Sequence, residues 1–209
     1  MNKKKSFSVL EIILVILVGA MFYISVIPNS KNLNSSLFID NLLFYIKQVR
    51  HQAMLDDKYD LNNELWHKKF WTIKFLKCRS NVGGIYFNIY SDKNLSGKIN
   101  KEDSLKDPLT NTYLYSSNYC SENNTNNSNV LLTKNYNIES VDLTCNDTLS
   151  LGQISFDNKS TVYSKLSNNS NDFEDYILKD KCIIKTVDKW GNESKIVIES
   201  ETGYAYKIK

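Results

Sequence analysis

The residues that most constrain this chain are the apolar run from Phe7 to Ile27, which carries one formal charge, Glu11. As a helix rising about 1.5 Å per residue, such a run reaches roughly 30 Å, the thickness of a hydrocarbon core, and predicts a membrane span. A carboxylate inside it costs a few kcal/mol unless it has a partner or a task. Lys3, Lys4 and Lys5 precede the run, while Asn29, Ser30 and Lys31 follow it. That bias keeps the amino end cytoplasmic and sends the remainder across. A cleaved secretory signal fits less well, because the run is long and "YISVIPNSK" offers no small-x-small cleavage site. With 209 residues, the chain has room for this segment plus one domain of ordinary size.

Beyond Pro28 the spacing predicts an amphipathic helix. Ile39, Leu42, Leu43, Ile46, Val49 and Ala53 recur every three or four residues, with Asp40, Lys47, Arg50 and Asp57 elsewhere around it. His51 is expected on its exposed side. The period then changes to two. "FWTIKFLK" and "IYFNIYS" read as a hairpin around Gly83 and Gly84. Further strands are expected in "VLLTKNYNIESVDLTC", "GQISFD", "TVYSKL", "CIIKTVD" and "SKIVIES", the last two joined across "KWGN". The asparagine-rich stretch from Ser117 to Asn129 has too little apolar content to pack and is expected as a surface loop.

The residues Lys3, Lys4, Lys5, Ser6, Phe7, Ser8, Val9, Leu10 and Glu11 resemble the amino-terminal signature of type IV pilins and pseudopilins. Pro28 falls where pilin helices commonly carry a proline. The resemblance implies that a prepilin peptidase cuts between Ser6 and Phe7 and methylates the new amine, and that Glu11 pairs with the amine of a neighbouring subunit during assembly. Ser6 departs from the usual Gly before the cut. "QVRHQAM", "YSDKNLSGKINKED" and "IVIESETGYAY" further resemble the H-type minor pseudopilins of type II secretion and their FimT-like relatives.

That resemblance implies an α+β, pilin-like fold: a long N-terminal helix, with a transmembrane half and an amphipathic half, packed on an antiparallel β-sheet body. Its parts are a leader over 1–6, a transmembrane helix over 7–28, an amphipathic continuation over 29–60 and a periplasmic body over 61–209. The implied location is the bacterial inner membrane, single-pass, and after assembly the tip of a pseudopilus or pilus. The implied partners are other pilins or pseudopilins, the prepilin peptidase and the inner membrane. The implied role is a minor structural subunit that helps to initiate or cap the filament.

The cysteines and charges bear on the alternatives. Cys78, Cys120, Cys145 and Cys182 form an even set without a C-x-x-C pair, which favours disulfides over a metal site. Three connectivities are open; Cys120 with Cys145 and Cys78 with Cys182 is the expected one, the first closing the asparagine-rich excursion and the second joining two strands. No phosphate loop, nucleophile elbow or zinc motif is present, so no enzyme is expected. A DNA-binding minor pilin for natural transformation is the alternative role. Losing Lys3, Lys4 and Lys5 with the leader takes the 26 basic residues to 23, equal to the 23 acidic ones. Only Arg50 and Arg79 are arginines, and the end "GYAYKIK" is thinly basic, so a phosphate-binding stripe has little support.

"DKNLSGKINKED" has the spacing of a calcium loop, with Asp92, Asn94, Ser96 and Asp103 as oxygen ligands and Gly97 at the sharp turn. Asp103 stands where a longer Glu normally closes such a loop. The same residues are what any polar turn prefers, so no cofactor is expected unless this loop takes calcium.

Overall fold

The computed structural model describes residues 9–26, 30–121 and 126–208. It contains three α-helices, α1 (Val9–Val26), α2 (Ser30–Leu55) and α3 (Leu132–Tyr136). Eight strands follow in chain order: β1 (Trp71–Lys77), β2 (Ile85–Tyr90), β3 (Ile138–Leu143), β4 (Gln153–Phe156), β5 (Val162–Tyr163), β6 (Cys182–Asp188), β7 (Glu193–Ile198) and β8 (Ala205–Ile208). They form two antiparallel sheets, ordered β2-β1-β4-β5 and β3-β6-β7-β8. The chain divides into two compact units, 1–33 and 34–209.

This corrects the expected fold. In place of one long helix, with a transmembrane and an amphipathic half, on an antiparallel β-sheet body, the described residues form three shorter helices and two antiparallel sheets. Among the described residues no helix is long and apolar enough to cross a membrane. Glu11 occupies the first turn of the 18-residue α1. The expected inner-membrane location, single-pass with the body in the periplasm, is corrected by the same finding. Pro28 and the ends of the expected 7–28 span lie outside the described residues.

The second unit is organised around α2. Ile39, Leu42, Ile46, Val49 and Ala53 are buried, Leu43 is partly so, and Phe38 and Tyr45 join them. These side chains enter one cluster with Ile73 and Phe75 of β1, Phe87 and Ile89 of β2, Ile154 and Phe156 of β4, and Ile184, Ile196 and Ile198 of the second sheet. The three- and four-residue spacing is therefore what seats the helix over residues from both sheets. The helix ends at Leu55, short of the expected residue 60. There Asp56 accepts a hydrogen bond from Trp71 Nε1 at 2.8 Å and pairs with Lys58 at 2.5 Å, which ties the helix end to β1.

The expected hairpin forms, with Phe75 opposite Phe87 and Ile73 opposite Ile89. The β6–β7 hairpin forms across Lys189–Asn192, where Asp188 accepts the amides of Trp190 and Asn192 at 2.9 Å each. "VLLTKNYNIESVDLTC" splits into α3 and β3 rather than one strand. Asn137, at φ 58°, ends α3 by donating its amide to the carbonyls of Leu132 and Thr133. A closing strand, β8, pairs with β7 after the turn at Thr202 and Gly203.

Candidate functional site

Of the residues expected to act in processing and assembly, Ser6 and Phe7 lie outside the described residues, and Glu11 lies in α1. Along α1 the side chains of Val9, Leu10, Ile12, Ile13, Leu14, Val15, Ile16, Leu17, Val18 and Met21 are all exposed, from 44% at Val18 to 75% at Val9. An ordinary surface helix shows one apolar stripe, and a helix apolar all round is normally covered on every side. A continuous apolar surface of this kind marks an interaction element.

The segment from Asp92 to Asp103 is held by its own donors. Asp92, buried on the sheet edge, accepts the amide of Ser96 at 3.0 Å through Oδ1 and that of Gly97 at 2.8 Å through Oδ2. Asn94 Oδ1 shares the Ser96 amide at 3.0 Å, and Ser96 Oγ accepts the amide of Lys98. Asp103 Oδ2 instead accepts Asn100 Nδ2 at 3.2 Å, while its carbonyl takes the Ser91 amide at 3.0 Å. The carboxylates serve the turn itself. Among the described residues no group of three or more His, Cys, Asp or Glu side chains is arranged to hold a metal ion, and no cofactor is shown.

The four cysteines form two disulfides, Cys78–Cys120 and Cys145–Cys182, with no free thiol. This corrects the expected partners, and the register explains why. In the β3–β6 pair Leu143 faces Ile184, and Thr144 donates its amide to Ile183, so the next step along the ladder sets Cys145 against Cys182 at a Cα separation of 5.2 Å. Arg79 donates its amide to Asn118 and lays its guanidinium 3.6 Å from the Tyr119 ring centroid, bringing Cys120 to the end of β1.

His51 is exposed, as expected. His67 is buried in the turn Trp66–Lys69; its Nε2 lies 3.1 Å from the Ser167 carbonyl and its Nδ1 has no hydrogen-bond partner among the described residues. Burial lowers its pKa below the usual 6.5, more than Ser167 and Asp172 raise it. Arg50, in the stretch "QVRHQAM", donates through Nε to the Thr202 carbonyl at 2.7 Å and pins the turn before β8.

A polar anchor absent from the sequence reading also emerges. Asp107 is fully buried and accepts Tyr45 Oη at 3.1 Å, Thr110 Oγ1 at 3.0 Å and Asn129 Nδ2 at 3.2 Å, while Leu109 donates its amide to the other oxygen. Burial and the neighbouring Asp107 both raise the Tyr45 pKa, so the phenol stays a donor. The asparagine-rich stretch is therefore partly structural: Asn127 is buried and Asn129 reaches α2.

Compared with family models, with curated proteins and with solved structures, the chain matches none.

Proposed function

We propose that this chain is a minor structural subunit of the pilin or pseudopilin type, which joins a filament through α1 and carries no catalysis of its own. The observation that supports the reading is the exposure of α1 on all sides. Each large apolar side chain gains roughly 1.5–3 kcal/mol on moving from water to full burial, so the helix has a strong drive to be covered. Helices of the same character on neighbouring subunits are the occupants that leave no polar face stranded. Glu11 then meets a basic group in a water-poor setting, and the free amine made by cleavage between Ser6 and Phe7 is the group the sequence motif points to. Initiating or capping a type II secretion pseudopilus or a type IV pilus is the role this supports.

The test is a photo-crosslinking amino acid placed at Ile16 in the full chain in its native cells. Adducts to other helix-bearing filament subunits are expected, reduced at least about tenfold by Glu11→Val, since a lost buried ion pair is worth 1.4 kcal/mol or more. Absence of any subunit adduct would overturn the reading.

A further inference from the structure

β1 is an inner strand of its sheet, flanked by β2 and β4. Its residues alternate: Ile73 and Phe75 are fully buried in the core, so Lys74 projects from the opposite face, with Asn88 and Gln153 as its cross-strand neighbours. On that face lies a cleft of about 450 Å³, whose lining includes Lys68, Lys74, Lys165, Asp92, Asp147 and Gln153. Its volume suits a small organic ligand.

Three lysines and two aspartates leave the lining with one net positive charge. Asp92 spends both oxygens on the amides of Ser96 and Gly97, and Asp147 accepts the Ser164 hydroxyl. Lys68 Nζ reaches the Asn168 amide oxygen at 3.1 Å, and Lys165 Nζ stands 4.9 Å from the Tyr176 ring centroid. Lys74 has neither a hydrogen bond nor an ion pair among the described residues, and its partial burial lowers its pKa below the ordinary 10.5. A half-buried ammonium group that no carboxylate pairs with directly is costly in its charged form, and an arriving anion offsets that cost. All three cations are lysines. Compact ammonium groups act as point charges with three rotatable donors and serve as phosphate binders without an arginine fork.

We infer that this cleft binds a small phosphorylated organic molecule, its phosphate held by lysines drawn from Lys68, Lys74 and Lys165 of the lining. The site lies in the second unit and is independent of any role of α1 in assembly. A bound phosphate holds Lys74 in its charged form, so its titration moves up with occupancy.

The full chain, with lysine side chains labelled for NMR, is titrated with glucose 6-phosphate, with glucose and with citrate. Glucose 6-phosphate is expected to shift the Lys74 signals saturably below about 10 mM and to raise the pH at which Lys74 loses its proton, while glucose does neither. Lys74→Gln is expected to weaken binding at least about tenfold. Should that variant not fold, the double variant Lys68→Gln/Lys165→Gln is expected to show the same loss. No Lys74 response to glucose 6-phosphate, or unchanged affinity in the lysine variants, overturns the site. Citrate binding as tightly as glucose 6-phosphate overturns its assignment to phosphate.

Discussion

Tyr45 shows how much one hydroxyl can carry in this molecule. Its ring belongs to the core stripe of α2, and its Oη supplies one of the donors that satisfy buried Asp107. Tyr45→Phe keeps the ring and removes the donor, leaving an acceptor short of a partner where water has no access. A loss of about 1–2 kcal/mol is expected, read as a lower urea midpoint with unchanged slope. His67 makes a second residue-scale prediction. Its folded pKa lies below the unfolded 6.5, so the unfolded chain binds more protons in the window just beneath that value. The stability that His67 supports is fully present above pH 6.5 and is lost as pH falls through the folded pKa. A urea series across that window should show stability falling with pH in the wild type, with a flatter profile in His67→Phe. Neither effect was legible in the sequence. Tyr45 and Asp107 are 62 residues apart, and no local pattern announces that a loop aspartate is buried beneath a helix.

At the scale of elements, periodicity carried what it could. The α2 stripe, the β1–β2 hairpin and the β6–β7 hairpin follow from spacing and turn residues, because each is decided by neighbours close in sequence. Disulfide partners depend instead on the register between β3 and β6, which lie far apart in the chain, so spacing alone pointed to the wrong pairs. The Cys145–Cys182 bridge closes a separation of 37 residues, and the double change Cys145→Ala/Cys182→Ala should cost about 4 kcal/mol by the chain-entropy estimate. Peptide mapping without reductant checks the pairing, and a chain linking Cys120 to Cys145 would contradict it. The same strand end holds a backbone constraint. Gly152 sits at φ 118°, and an added Cβ would lie 2.9 Å from Leu143 Cδ2. Gly152→Ala should therefore destabilise by about 1–3 kcal/mol, from a disfavoured backbone conformation plus displacement of a buried leucine. Chemical denaturation measures that loss.

At the scale of the whole molecule, the two units have opposite relations to solvent. Every described member of the buried cluster lies at Phe38 or beyond, within the second unit. In the first unit, the apolar side chains described from Val9 to Met21 face solvent. Burial is what stabilises a domain, and exposed apolar surface is what drives it to associate, so the two properties should separate along the chain. A version beginning at Asn34 is expected to melt within about 2 °C of the full chain, since it keeps every described member of the buried cluster. It is also expected to lose self-association and all subunit adducts, because the surface proposed to make them is gone. Differential scanning calorimetry beside sedimentation analysis reads both. A melting temperature lowered by about 10 °C or more would show that the first unit contributes to the fold of the second, and an undiminished tendency to associate would move the assembly surface from α1 to the sheet-bearing unit.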